Sequence, residues 1–220
     1  MFLTGKIRYP IKRIILRRPA KPVNEQKRIR NGELKMDTLH EILDYNKSFV
    51  EKKEYEKYQT TKFPNKKMVI LTCMDTRLLE LLPKAMNFSN GDVKTVKNAG
   101  ALIMHPFGSI MRSILVAVYE LQASEVLVIG HHDCGMSSLK AGNMIERMKE
   151  RGIGQETLDT LNYSGIDINN WLHGFENVTE SVKHSVDVIK KHPLMPTDVN
   201  VHGLVIDPET GKLDLVVNGY

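Results

Sequence analysis

Two cysteines and two adjacent histidines are the side chains of this sequence best suited to bind a metal ion. Cys73 ends the apolar run MVILTC, and Cys134 lies in GHHDCGM, three residues after His131 and two after His132. Thiolate sulfur and imidazole nitrogen suit Zn²⁺, and three protein ligands leave a fourth tetrahedral position open, as in catalytic sites. The chain has only 2 cysteines, so no further thiolate can close such a site. These fragments therefore predict a zinc site with an open position.

The spacing of the second fragment favours His131 over His132 as the ligand. His131 ends the apolar run EVLVIGH, and a His-x-x-Cys loop can turn both side chains toward one ion, as Cys-x-x-Cys loops do. If the strand continues to His132, that side chain points to the opposite face. The alternative is that both cysteines are simply buried and both histidines are structural. We favour the metal site because both fragments follow predicted strands.

The segment CMDTR supplies a carboxylate and a guanidinium next to Cys73. In an extended segment alternate residues share a side, so Cys73, Asp75 and Arg77 can converge. Arg77 can hold Asp75 through a bidentate pair. Asp75 can then accept a hydrogen bond from a zinc-bound water or become a fourth ligand itself. The alternative is that Asp75 caps the following helix and Arg77 lies on the surface.

The elements that must position these residues alternate between strands and helices. Strands are predicted at 67–73 and 125–131, and in DVKTVKNAG, which runs into a loop. Helices are predicted in RLLELLPKAMNF, with a break or kink at Pro83, and around 137–150 and 175–191. A further helix is predicted in SIMRSILVAVYELQ, which is apolar nearly all round and is therefore expected to be largely buried. VNVHGLVID and KLDLVVN predict two last strands around the turn PETG.

This alternation predicts an α/β fold with a mostly parallel central sheet flanked by helices. Strands that are apolar throughout fit a sheet covered on both faces. Ligands of open parallel sheets gather at the carboxyl ends of the strands. We therefore expect Cys73 and the His131–Cys134 fragment to meet at one edge of the sheet.

The charge distribution divides the chain at about residue 35. Residues 1–35 carry eleven basic and two acidic residues, a net +9, so the other 185 residues carry −4 of the total +5. Thr38 and Glu41 form a capping-box pair that begins an amphipathic helix. We expect 1–35 to be a basic, disordered extension and 36–220 to be a single zinc-binding catalytic domain. We favour Met36 as the native start over a targeting or membrane-surface arm, because the codons of Gly-Glu in NGELKM can spell a ribosome-binding sequence.

Composition excludes several classes of protein. No run approaches the roughly 18 apolar residues of a membrane span, and no secretory signal is recognisable. Two cysteines in a chain without an export signal indicate free thiols, so we expect a cytoplasmic protein. A non-enzymatic nucleic-acid-binding protein has only the basic extension in its favour, and no nucleic-acid partner is expected for the acidic body.

CMDTR, KNAG and GHHDCG, in this order and spacing, resemble the β-class carbonic anhydrases, whose signatures are Cys-x-Asp-x-Arg and His-x-x-Cys. The resemblance runs from about Lys67 to the terminal strands. It implies one Zn²⁺ per subunit, and the ligands that it implies are Cys73, His131 and Cys134.

The same resemblance implies a catalytic dyad of Asp75 and Arg77 and a homodimer or higher homo-oligomer. Cys-Gly-Met, ending at Met136, is similar to a smaller branch of the family that shares these ligands, whereas many members have a second glycine there. The implied activity is the reversible hydration of CO₂ to bicarbonate and a proton by zinc-bound hydroxide. Two thiolates cancel the formal charge of Zn²⁺, so we expect activity to rise with pH.

The main alternative is a zinc-binding relative on the same fold that does not hydrate CO₂. Such a protein would bind a small anion or act on another small substrate of the thiocarbonyl type. The intact pair of Asp75 and Arg77 argues against this alternative.

Overall fold

A computed structural model describes residues 29–30, 33–34 and 38–220. The chain forms two compact units, Met1–Lys57 and Tyr58–Tyr220. The first contains strand β1 (Ile29–Arg30), which pairs antiparallel with β2 (Glu33–Leu34), and helix α1 (Thr38–Glu51). The helix begins at the residue that the capping-box pattern indicates. The expectation of a disordered extension falls mainly on residues 1–28, 31–32 and 35, outside the described part of the chain, and stays a prediction.

The second unit is built on a five-stranded sheet in the order β4-β3-β5-β6-β7. The strands are β3 (Met68–Cys73), β4 (Val93–Asn98), β5 (Glu125–His131), β6 (Asn200–Ile206) and β7 (Leu213–Val217). Strands β3 to β6 run parallel to one another, and β7 is antiparallel to β6. The predicted α/β fold with a mostly parallel sheet is confirmed.

Helices connect these strands along the chain. They are α2 (Leu78–Ala85), α3 (Ser109–Tyr119), α4 (Ala141–Glu150), α5 (Gln155–Tyr163), α6 (Ile168–Leu172) and α7 (Val178–Lys190). Pro83 lies inside α2, two residues before the helix ends. None of the described helices is long and apolar enough to cross a bilayer.

Helix α3 differs from its prediction. Met111 and Ile114 are buried, whereas Val116 and Tyr119 are 45% and 60% exposed, so the expectation of a largely buried helix was wrong. The helix lies against β3 and β4 with one side only, and its apolar residues extend beyond the contact face.

Helices α5 and α6 were not predicted, because they are short and only a few of their residues are apolar. Together with α4 they form a small core of their own, in which the buried residues are Ala141, Leu158, Ile168 and Leu172. This helical segment joins β5 to α7 and returns the chain to the sheet.

Two larger cores cover the two faces of the sheet, because successive strand residues point to opposite faces. Val69, Val126 and Val201 contribute to the core that α3 and α7 cover. Ile70 and Ile129 contribute to the opposite core, which also includes α2 and the two cysteines. The cysteines therefore lie at one end of the sheet, in a largely apolar environment.

Candidate metal centre

Cys73, His131 and Cys134 come together at the carboxyl ends of β3 and β5, which are parallel neighbours in the sheet. Their ligand atoms lie within 4.8 Å of one another, and all three residues are buried. The two Sγ atoms are 3.9 Å apart. Two Zn–S bonds of about 2.3 Å at a tetrahedral angle would separate the sulfurs by about 3.8 Å. The spacing of the thiols therefore fits a tetrahedral zinc ion.

The imidazole of His131 is oriented as a metal ligand. Its Nδ1 lies 2.8 Å from the carbonyl oxygen of His132. A carbonyl oxygen only accepts, so Nδ1 carries the ring proton and donates a hydrogen bond to that oxygen. Nε2 then keeps its lone pair, and it is buried without a hydrogen-bond partner among the described residues. A buried nitrogen is rarely left unpaired, and a ring hydrogen bond of this kind is typical of zinc-bound histidines. The donor set fits Zn²⁺.

His132 lies outside this ligand set and is exposed. Strand β5 ends at His131, so His132 belongs to the following turn, where its amide donates to the carbonyl oxygen of Ile206 at 3.1 Å. The end of the strand, rather than strand alternation, separates the two histidines.

The sulfur of Cys73 receives several polar contacts. The contact between the two thiols favours ionisation of one of them, so it lowers the pKa of Cys73 and raises the pKa of Cys134. His131 and the amide of Gly100 lower the pKa of Cys73 further. The Gly100 amide donates to Sγ at 3.3 Å. These contacts favour a thiolate, the form that binds a metal.

Asp75 and Arg77 form the bidentate pair that the motif suggested, but in a different backbone conformation. Arg77 donates from Nε to Oδ1 of Asp75 at 3.1 Å and from Nη2 to Oδ2 at 2.9 Å. Strand β3 ends at Cys73, and the Arg77 amide also donates to Oδ1 at 2.9 Å, so the two residues lie in the turn that begins α2. The expectation that an extended strand aligns them was wrong.

The carboxylate of Asp75 faces the ligand set. Its Oδ2 lies 3.8 Å from Nε2 of His131. Hydrogen bonds from the Arg77 side chain lower the pKa of Asp75 from 3.8 to about 2, and the charge of Arg77 adds to this effect. Asp75 is therefore an anion at neutral pH, beside the three ligand atoms.

Asp133 is a second partner of Arg77 that the sequence did not reveal. Nη1 of Arg77 donates to Oδ2 of Asp133 at 2.9 Å, and Nη2 donates to its carbonyl oxygen at 2.9 Å. Asp133 has a φ of 51°, which turns the loop between His131 and Cys134. Arg77 thus ties the loop after β3 to the loop after β5.

Comparison with known proteins agrees with this geometry. The carbonic anhydrase family model matches residues 68–213, which include both cysteine fragments and the strands that carry them. YtiB of Bacillus subtilis, a protein named provisionally as a carbonic anhydrase, is 66% identical over 185 residues, covering 84% of this chain and 99% of that protein. A carbon disulfide hydrolase of Acidithiobacillus thiooxidans is 26% identical over 155 residues, covering 68% of this chain and 76% of the hydrolase.

Among solved structures, the β-carbonic anhydrase isoform I of Trichomonas vaginalis superposes with a TM-score of 0.77 at 32% identity, covering 84% of this chain and all of that one. The family match covers residues 68–213, more than half of the chain, and the Trichomonas vaginalis structure has the same fold. The chain belongs to the β-class carbonic anhydrase family.

Proposed function

We propose that this protein catalyses the zinc-dependent, reversible hydration of CO₂ to bicarbonate and a proton. The observation that carries the proposal is the position of the Asp75 carboxylate, which Arg77 holds 3.8 Å from the unpaired Nε2 of His131. A metal held by these ligands would supply an activated water, and a carboxylate fixed beside it would orient that water.

Cys73, His131 and Cys134 would hold one Zn²⁺ per subunit. When bound, zinc lowers the pKa of a water ligand and so provides hydroxide as a nucleophile. Both thiols lie in an apolar cluster with Ile129 and Ile206. Such surroundings exclude bulk water and accept a small apolar substrate such as CO₂.

Asp75 would orient the attacking hydroxyl group. An ionised carboxylate would accept a hydrogen bond from that group and leave an oxygen lone pair free to point toward the carbon of CO₂. Arg77 keeps Asp75 ionised and in place, and Asp133 keeps Arg77 in place. The same carboxylate could instead occupy the open coordination position, which would close the site to substrate.

Carbon disulfide is the second candidate substrate. It is linear and apolar like CO₂, and the relative from Acidithiobacillus thiooxidans is named for its hydrolysis. The two activities differ in their products, because carbon disulfide releases hydrogen sulfide and CO₂ releases only bicarbonate and a proton.

Zinc analysis combined with two activity assays tests the proposal. We expect one zinc per chain and stopped-flow CO₂ hydration whose rate rises with pH, because two thiolates reduce the acidity of the bound water. Stoichiometric zinc with sulfide release and no hydration would favour the second candidate. A purified protein that binds no zinc after reconstitution would contradict both.

We also propose that the protein is a cytoplasmic homodimer or larger homo-oligomer, and that residues 36–220 are its catalytic domain. The 185 residues that align with YtiB, nearly its whole length, support the domain assignment. Sedimentation velocity on the purified protein tests the assembly, and a monomer at micromolar concentration would contradict it.

A further inference from the structure

We propose that Phe175 is a positioning residue for the metal centre. Its ring packs beside Gly100, whose amide N–H donates to the sulfur of Cys73, and its backbone amide holds Met136 in the turn that follows Cys134. This inference rests on the metal site of the proposed function. Phe175 lies between α6 and α7, outside both cysteine fragments. Phe175 belongs to none of the segments CMDTR, KNAG and GHHDCG.

Gly100 lies in a turn that is held tightly from both sides. Its φ is 82°, a conformation that glycine adopts readily, and its amide donates to Sγ of Cys73 at 3.3 Å. The side chain of Asn98 accepts from the amide of Leu102 at 3.1 Å and donates to its carbonyl oxygen at 2.6 Å. These two hydrogen bonds fix the backbone of the turn.

Phe175 and Met136 close the other side of the same turn. A β-carbon built on Gly100 would lie 3.1 Å from Cε1 of Phe175 and 3.0 Å from Cγ of Met136. Both side chains therefore fill the space beside the α-carbon of Gly100. This packing supports the turn in which the Gly100 amide faces the sulfur of Cys73.

The backbone of Phe175 also holds Met136. The Phe175 amide donates to the carbonyl oxygen of Met136 at 3.2 Å. A β-carbon at Gly174 would overlap that same carbonyl oxygen, so the backbone just before Phe175 packs directly against Met136. Met136 lies in the short 3₁₀ turn that begins directly after Cys134. Phe175 thus contacts Gly100, which donates to the sulfur of Cys73, and Met136, which lies in the turn after Cys134.

Hydrogen bonds to a ligand atom orient it and spread its charge, and loss of such outer contacts typically weakens metal binding about 10-fold to 100-fold. Removing the Phe175 ring leaves Cys73, His131 and Cys134 unchanged but frees the Gly100 turn. The expected effect is therefore on metal affinity and on the thiolate–metal bond rather than on the presence of a ligand.

Phe88 provides a matched control. It is half-buried like Phe175 and packs on the same apolar cluster as the two cysteines. Its ring lies beside α2 and β4, and it lines a cavity with Leu82 and Val93. Truncating Phe88 removes the same type of side chain from the same cluster, at a position where the ring lies beside α2 and β4.

The experiment compares Phe→Leu and Phe→Ala at both positions in the full chain. Zinc affinity is measured by competition with a chelator, and the thiolate-to-metal absorption band is measured after Co²⁺ substitution. We expect Phe175→Ala to bind zinc about 10-fold more weakly than wild type and to shift the Co²⁺ band. Phe175→Leu should show a smaller change in the same direction, and both Phe88 variants should match wild type in affinity and spectrum.

Equal zinc affinity and Co²⁺ spectra in the Phe175 and Phe88 variants would overturn the inference. If Phe175→Ala does not fold, the comparison of the two Leu variants decides in the same way. A wild-type chain that binds no zinc would instead refute the proposed function, and that outcome is visible before any variant is made.

Discussion

Replacement of Asp75 by Asn removes the charge beside the metal ligands and nearly preserves the shape of the side chain. The carboxylate accepts from Nε and Nη2 of Arg77 and from its backbone amide. Asn can still accept at Oδ1, but its amide group meets Nη2 with a donor facing a donor. We therefore expect an intact turn, a weakened side-chain pair and an unchanged set of zinc ligands.

The stability cost can be bounded from the pKa of Asp75, which Arg77 lowers from 3.8 to about 2. A shift of about two units corresponds to about 2.5 kcal/mol in the free energy of unfolding. Because the side chains of Asp75 and Arg77 are 18% and 38% exposed, solvent screening reduces this to about 1 kcal/mol. A lowered carboxyl pKa contributes stability above pH 3.8, and that contribution is lost as the pH falls to about 2.

The activity cost should be much larger, about 10²-fold in the rate of CO₂ hydration, the lower end for loss of a positioned acid–base group. Stopped-flow hydration at several pH values, zinc analysis and chemical unfolding measure the three effects on one preparation. Asp187→Asn is the matched control, because Asp187 also has a lowered pKa and pairs with Lys191 at 2.6 Å, on α7. We expect it to leave hydration unchanged.

Near-wild-type hydration by Asp75→Asn with full zinc content would refute the reasoning and leave Asp75 as a residue that only shapes the turn before α2. Loss of zinc from the same variant would show instead that the carboxylate is a ligand.

Three further predictions concern the ligands, the sheet and the first residues. His131→Ala should lose most of its zinc and His132→Ala should keep it, because only His131 directs a free nitrogen at the thiols; equal metal content by mass spectrometry would contradict the assignment. Gly203→Ala should destabilise the fold by about 1–3 kcal/mol in denaturant unfolding, because its β-carbon would lie 2.8 Å from a valine of α7. Gly142→Ala, with open space on α4, is the control and should not destabilise. A chain that starts at Met36 should fold, bind zinc and hydrate CO₂ like the full chain, and a misfolded product would make the preceding residues part of the domain.

The amino-acid sequence by itself determined the fold class and the residues that converge at the candidate metal centre. The apolar runs of β3 and β5 predict parallel strands, and Cys73 and His131 stand at their last positions. Neighbouring parallel strands deliver their carboxyl ends to one edge, so residues far apart in the chain meet there. These inferences needed only local patterns, because strand periodicity and strand ends depend on residues close together in sequence.

The tertiary structure alone decided how the surrounding groups act on that centre. The turn after Cys73, not an extended strand, pairs Asp75 with Arg77 and lets Arg77 reach Asp133 in the neighbouring loop. Phe175 reaches Gly100 only because α4–α6 fold into a small core and return the chain beside the site. Contacts of this kind join loops that follow different strands, and their geometry depends on turn conformation and on packing between distant segments, which no local pattern of residues records.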